Sequence, residues 1–434
     1  MKKLLKPVFV FLLAFLARAV IRRYRPHIVM VTGSVGKTAT KDAIATVLAT
    51  RFYVRSSEKS FNTEFGVPFT VLGVGNPWGN PFAWFLIMKN ALALFILPNH
   101  YPNMLVLEVG AGKPGDCARI LKIATPNMVV VTRLPEIPVH VEMYASPEAV
   151  REEEFSPAYA LPAGAPLIIP ADDPYALDNA VRTSARTISY GMAEDATVRI
   201  SDVAFYEHEG KVAGMQATAH LHEESKNFIV KSSVGITQLL PVAAALAVAS
   251  AFEISLVEAL TALENYEPPP GRGRLFAGKN GSLIIDDTYN ASPAAVEEAL
   301  ATLKIFPRAK RPYSAEATKG RRIAVLGDML ELGRYSVMEH ERIAELAGEA
   351  ADVIVTVGIR ARAFAAAPKH AEVVQCESSR AAARALPDIV REGDVILVKG
   401  SQSIRTERIV EALLAHPEDS VRLVRQEKKW KQRP

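Results

Sequence analysis

The sequence predicts an α/β protein with mainly parallel sheets, divided into a larger unit and a smaller, doubly wound one. Three observations carry that prediction. Short apolar runs rich in Val, Ile and Met alternate with longer helical segments from His27 onward, the pattern of βαβ units. A glycine-rich turn joins the first such run to the first helix. The stretch Glu267-Pro268-Pro269-Pro270-Gly271 then interrupts the pattern as a stiff break, and the alternation resumes beyond it.

Taken in order, strands are expected at His27–Thr32, Met104–Val109, Met128–Thr132 and Leu167–Ile169. Helices are expected between them at Lys37–Thr50, Pro114–Ile123 and Pro147–Leu161. From Val198 to Val230 strand patterns predominate, cut by polar turns such as Glu209-Gly210. An alanine-rich helix follows near Val242–Phe252, then another at Leu256–Tyr266. Beyond the break, strands fit Ser282–Asp286, Arg322–Leu326, Val353–Val357 and Val395–Val398. Helices there fit Pro293–Lys304, Val337–Ala350, Ser379–Arg391 and Thr406–Ala415. The expected units are residues 1–26, a basic and apolar helix; 27–268, a nucleotide-binding domain; and 269–434, a second domain with a basic tail.

Composition narrows the functional class. At roughly 100–200 residues per domain, 434 residues suit two or three domains. A chain that is 49% apolar and 23% charged is globular, which excludes disordered and collagenous proteins. The two cysteines, Cys117 and Cys376, lie far apart, which excludes a disulfide scaffold or cysteine-rich zinc site and fits a reducing cytoplasm. The net charge is +4, but residues 1–26 carry +7 and residues 422–434 carry +5, leaving −8 on the body. An acidic body argues against a nucleic-acid partner.

Val8 to Ala17 is an unbroken apolar run flanked by basic residues. It is too short to span a bilayer, which takes ~20 residues. Two readings stand: a helix in the membrane interface, its basic residues meeting anionic lipid, or a helix docked on the body. A second apolar stretch, Phe82 to Leu97, is interrupted only by Lys89 and Asn90. The basic tail with Trp430 reads as a solvated end.

The chemistry centres on Thr32-Gly33-Ser34-Val35-Gly36-Lys37-Thr38, between a strand and a helix. Glycines let the backbone curl so that N–H groups of Ser34, Val35 and Gly36 face an anion. Lys37 reaches terminal phosphates, and the Thr38 hydroxyl can ligate Mg²⁺. Only two residues separate Gly33 from Gly36, whereas the common phosphate loop has four.

This short loop resembles that of the Mur ligase superfamily, ATP-dependent amide-forming ligases of peptidoglycan synthesis. Ser60-Phe61-Asn62-Thr63-Glu64-Phe65-Gly66 looks like the family's Asn-containing segment, Leu107-Glu108-Val109-Gly110 like its Mg²⁺-holding strand end, and His140-Val141-Glu142 like its second Mg²⁺ segment. Gly271-Arg272-Gly273-Arg274, followed by Asp286-Asp287-Thr288-Tyr289-Asn290, resembles one branch, the ligases that join D-alanyl-D-alanine to UDP-N-acetylmuramoyl-tripeptide. Leu326-Gly327-Asp328-Met329-Leu330-Glu331-Leu332-Gly333 with His340, and Val398-Lys399-Gly400-Ser401, agree with that branch.

The resemblance implies a P-loop ATPase-type central domain, a Rossmann-like C-terminal domain, and ATP and Mg²⁺ as cofactors. It implies Thr38, Glu108 and His140 as metal ligands, and Asn62, Gln238, Arg272, Asp287 and Asn290 as nucleotide contacts. Asp328, His340, Lys399 and Ser401 would meet substrate. It implies small-molecule and muropeptide substrates and a monomer in the cytoplasm; the basic, apolar run in residues 1–26 separately leaves peripheral contact with the membrane's inner face as one of its two readings.

Three departures accompany it. The phosphate loop starts at residue 32, so the family's N-terminal UDP-binding domain is expected to be absent, and a lipid-linked acceptor becomes an alternative substrate. The family's carbamylated lysine falls at Glu154, whose carboxylate offers similar oxygens on a shorter arm; a solvated acidic helix face explains Glu154 equally well. A nucleotide-contacting His-Asn pair reads Thr237-Gln238 here, and Pro241 replaces a later Asn. From another functional class, the same residues suit a membrane-associated nucleotide-binding scaffold without turnover.

Overall fold

The computed structural model describes residues 2–77, 80–307, 320–366 and 371–431; Arg433 of the basic tail lies outside them. The chain opens with α1 (Lys2–Tyr24), β1 (His27–Thr32), α2 (Lys37–Leu48), β2 (Val54–Ser56), α3 (Gly66–Leu72) and α4 (Pro81–Ile96). There follow β3 (Met104–Glu108), α5 (Asp116–Leu121), β4 (Met128–Val131), α6 (Pro147–Tyr159), β5 (Pro166–Pro170), α7 (Pro174–Ala180) and β6 (Arg186–Gly191). Three long strands, β7 (Val198–His208), β8 (Lys211–Leu221) and β9 (Glu224–Lys231), precede α8 (Leu240–Ala251) and α9 (Leu256–Leu263).

These strands form one sheet in the order β2-β3-β1-β4-β5-β6-β7-β8-β9. It is parallel from β2 to β7 and ends in an antiparallel meander. The central strands β1, β3 and β4 are almost wholly buried, which is why their sequences read as continuous apolar runs. Val31 lies opposite Glu108 and Thr32 opposite Val131. The ends of β3 and β4 therefore flank the turn that leaves β1, where the strand order reverses. Ligands of open parallel sheets bind at such a point.

The second sheet uses β10 (Arg274–Ala277), β11 (Leu283–Asp287), β12 (Arg322–Gly327), β13 (Val353–Val357), β14 (Glu372–Cys376) and β15 (Val395–Lys399). Its order is β10-β11-β15-β12-β13-β14, parallel except for β10. Its helices are α10 (Pro293–Ile305), α11 (Ser336–Ala350), α12 (Ser379–Ile389), α13 (Glu407–Leu413) and α14 (Lys428–Lys431). One apolar core runs from α2 and α8 into the second unit through Leu300, Leu326 and Ile343.

The structure adds β2, α3, α7, β6, β10 and β14 to the expected elements. Most are short or lie at sheet edges, where a strand with one neighbour need not be apolar on both faces. The N-terminal helix is docked on the body: Leu13, Ala17 and Val20 are fully buried against α3 and α4. Among the described residues no helix is long and apolar enough to cross a membrane.

Candidate active site

β1 ends in a turn whose backbone requires glycine. Gly33 has φ 114° and Gly36 φ 91°, a region that side chains resist. A Cβ on Gly33 would also strike Thr132, at the end of the neighbouring strand. Gly36 caps α2, so Lys37 and Thr38 open the helix, and the unpaired N–H groups of its first turn form an anion site; the Ser34 and Val35 N–H groups, expected to face the anion, donate instead to the Arg133 carbonyl at 3.0 and 3.4 Å. The Lys37 ammonium folds back on the turn, donating to the carbonyls of Gly33 and, at 3.2 Å, Ser34.

Glu108, at the end of β3, is buried beside this turn. Its carboxylate accepts from Thr38 Oγ1 at 3.0 Å, from Asn62 Nδ2 at 3.1 Å and from Ser60 Oγ. A carboxylate and a hydroxyl side by side at a phosphate loop are hard oxygen donors. Mg²⁺ needs few side chains because it keeps waters, so the pair fits it. Among the described residues no three His, Cys, Asp or Glu side chains cluster as a ready-made metal cage.

The second sheet supplies the facing wall. Arg272 stacks its guanidinium over Tyr289 at 4.1 Å. Asn290 Oδ1 accepts from the backbone N–H of Gln402 at 3.3 Å. Ser401 Oγ accepts from Leu330 N–H at 2.9 Å. His140 Nδ1 lies 2.8 Å from Glu331 Oε2, pairing one unit with the other; the histidine's hydrogen bond holds the Glu331 carboxyl below its ordinary value. These residues, with Ser34 to Thr38, line one cavity of about 540 Å³. Trp430 lines it too, its carbonyl accepting from Arg405 at 2.8 Å, and Glu427 pairs with Lys59 on the first unit. The tail as far as Lys431 is therefore a folded part of the cavity rim, not a solvated end. A second cavity, of about 340 Å³, shares Val35 and Gly36 and continues past Thr40 to Thr237, Pro241 and Met192.

Known proteins resolve what this arrangement belongs to. The Mur ligase middle domain matches residues 31–249, half of the chain. This chain belongs to the Mur ligase family. The Mur ligase glutamate ligase domain matches residues 271–402. The UDP-N-acetylmuramoyl-tripeptide–D-alanyl-D-alanine ligase of Bacillus subtilis is 28% identical over 408 residues, covering 93% of this chain and 79% of the relative. The Mycobacterium leprae protein of that name is 30% identical, covering 89% and 73%. The crystal structure of the MurF ligase from Thermotoga maritima in complex with ADP superposes with a TM-score of 0.74 at 26% identity, over 93% of this chain and 83% of that one.

Within this Mur ligase, several expected site residues lie away from the main cavity. Glu154 is buried beneath the phosphate loop, accepts from Ser34 Oγ, and sits 4.0 Å from Lys37 Nζ. Burial pushes its carboxyl up, against the pull of Lys37 and Ser34. It is not a solvated helix face; it braces the loop from below. Gln238 is buried and donates to Thr237 Oγ1 at 3.0 Å; Thr237, not Gln238, faces the second cavity.

Buried Lys399 pairs with half-buried Asp287 at 2.6 Å behind Asn290, whose carbonyl Lys399 also holds at 3.1 Å. Burial lowers the Lys399 pKa despite that partner. Asp328 accepts from Ala361 N–H at 2.7 Å. His340, fully buried, accepts from Met329 N–H at 3.1 Å through Nε2, with Nδ1 2.7 Å from the Ser336 carbonyl. Both residues shape the loop that delivers Glu331 rather than reaching the cavity. Glu331, Ser60 and Tyr289 stood inside the quoted motifs without being singled out as site residues.

Proposed function

We propose that this chain is an ATP-dependent ligase joining D-alanyl-D-alanine to UDP-N-acetylmuramoyl-tripeptide in the cytoplasm, with peripheral membrane contact through residues 1–26. The observation that carries the reading is the single cavity on which Lys37, Thr38 and Glu108 face Arg272 and Asn290 from the other sheet. The names of the similar ligases supply the substrates. In this reading the acceptor carboxylate attacks the γ-phosphorus of ATP and ADP departs. The dipeptide amine then attacks the acyl carbon, and phosphate leaves with one carboxylate oxygen.

Charge develops on phosphoryl oxygens in the first step, so backbone donors and cations do the work rather than a protein nucleophile. The N–H groups of the α2 first turn and Lys37 would hold the β- and γ-phosphates, and Arg272 would close on them from the second unit. The nucleoside would run into the second cavity past Thr40 and Thr237. Mg²⁺, held by Thr38 and Glu108, would supply charge neutralisation. His140, oriented through Nδ1 by Glu331, would present Nε2 to a cation or water. Asn62 would orient Glu108, and Glu154 would hold Lys37 and Ser34 in register.

The test is phosphate release by purified protein with ATP, Mg²⁺, UDP-muramoyl-tripeptide and D-alanyl-D-alanine. Release should require both substrates, and Lys37→Ala should lower it by about a hundredfold or more. ATP binding without dipeptide-dependent release would overturn the reading.

A further inference from the structure

The outer face of α1 and α4 is an apolar platform that nothing in the ligase reading uses. Phe11 (63% exposed) and Phe15 (54%) are exposed on α1, and Phe82 (67%), Phe85 (63%) and Ile96 (59%) on α4; Phe15 shares a groove with Phe95 of α4, while Phe11 lines one with Glu64 and Arg119. On α4 the exposed positions Phe82, Phe85, Leu86, Lys89, Leu92 and Ile96 recur at three and four residues, a single helical stripe. The opposite stripe packs inward through Ile87 and Ala91. Phe9 against Trp84, at 4.9 Å, and Tyr24 Oη donating to the Leu94 carbonyl at 2.9 Å hold the two helices together. Large contiguous apolar faces mark interaction sites.

Charge identifies the partner. A groove of about 590 Å³ between the helices is lined by Phe15, Arg18, Ala19, Arg22, Arg23 and Phe95, so arginines rim an apolar floor. Residues 1–26 and 75–100 contain no Asp or Glu. The chain between the two basic ends carries −8, so an anionic surface would attract this face and repel the rest. A second copy stacked on the same face would set one arginine cluster against another. A helix pair with an aromatic outer stripe, an arginine rim and no acids matches an in-plane interfacial anchor. At about 24 Å for 16 residues, α4 is suited to lie in the interface rather than to span it.

We infer that the α1–α4 platform docks this protein in the plane of an anionic phospholipid bilayer, with aromatic side chains among the acyl chains and Arg18 and Arg22 on lipid phosphates. The site extends the membrane contact of residues 1–26 to a second helix, and it stands whether or not the ligase reading does. The active cavity is linked to it by α3, which packs on both platform helices and begins just after the cavity residue Asn62.

Flotation with phosphatidylcholine vesicles, with and without phosphatidylglycerol, tests this on the full chain. The protein should float with the anionic vesicles, less with the neutral ones, and less in high salt. Arg18→Gln/Arg22→Gln should weaken binding about thirtyfold. Phe15→Glu/Phe85→Glu should abolish it. Both variants should keep wild-type thermal unfolding and wild-type phosphate release in vesicle-free solution, so a failed ligase assay and a failed flotation report on different claims. No flotation with anionic vesicles overturns the inference, as does flotation unchanged in both variants. Concentration-dependent dimerisation through this face without vesicle binding also overturns it.

Discussion

Two helices of this molecule are almost equally apolar and have opposite surroundings. α8 reads Leu-Pro-Val-Ala-Ala-Ala-Leu-Ala-Val-Ala-Ser-Ala, and Pro241 to Ala249 are all buried. α4 is as apolar, with Lys89 its only charge, yet one full stripe of it faces outward. A helix apolar all round is expected to be surrounded. α8 meets that expectation inside the protein, packed on α2 behind the phosphate loop. α4 meets it only if something outside the chain covers its outer face. Side-chain size marks the difference. α8 is half alanine, which lets neighbouring elements approach closely, whereas α4 presents Phe82, Phe85 and Phe95 outward.

Substitutions can break or sharpen this comparison. The largest effect should come from a charge. Ala245→Glu in α8 puts an unpaired carboxylate into a packed interior and should cost more than about 4 kcal/mol. Leu92→Glu in α4 should change stability by about 0.5 kcal/mol or less. Denaturant titration of both variants checks the pair, and equal losses would mean that α4 is covered within the chain. Truncation should follow with a smaller contrast. Leu246→Ala should cost about 2–5 kcal/mol, and Phe85→Ala well under about 1 kcal/mol.

A polar group makes the same point about interiors through pH. Asp286 is fully buried, and burial raises its pKa from 3.8 to about 6. A carboxyl whose pKa is raised on folding prefers the protonated form. Its contribution to stability is therefore whole below pH 4 and is lost as pH rises from about 4 to about 6. The loss is up to about 3 kcal/mol. Asp286→Asn keeps the acceptor for Thr288 and should remove that fall, leaving the variant more stable than wild type at pH 7. A wild-type-like fall in the variant would contradict this assignment.

The sheet was legible where burial leaves a continuous signature. β1 and β13 match their expected ranges because parallel strands covered on both faces read as unbroken apolar runs. α3 was hidden in a segment read for its asparagine, with Pro68 inside its first turn. The phosphate loop, Glu108 and Arg272 were legible because each sits in a contiguous motif at a strand end. Glu331 was not singled out, since its partner His140 comes from the other unit. Asp328 and His340 were expected to meet substrate because they stand in a motif that resembles one branch of the family. Burial and backbone partners make them supports of a loop, which residue type alone does not reveal. Trp430 carries no local signal for a cavity wall; it is placed there by Arg405 and by the Glu427–Lys59 pair.

The central claim is acyl-phosphate ligation in the cavity between the two sheets, and isotope transfer tests it most directly. An acceptor tripeptide with oxygen-18 in its terminal carboxylate would be turned over with unlabelled ATP, Mg²⁺ and D-alanyl-D-alanine. The account predicts one labelled oxygen in each phosphate released and one in the new amide. Unlabelled phosphate, or phosphate released without a peptide product, would contradict it.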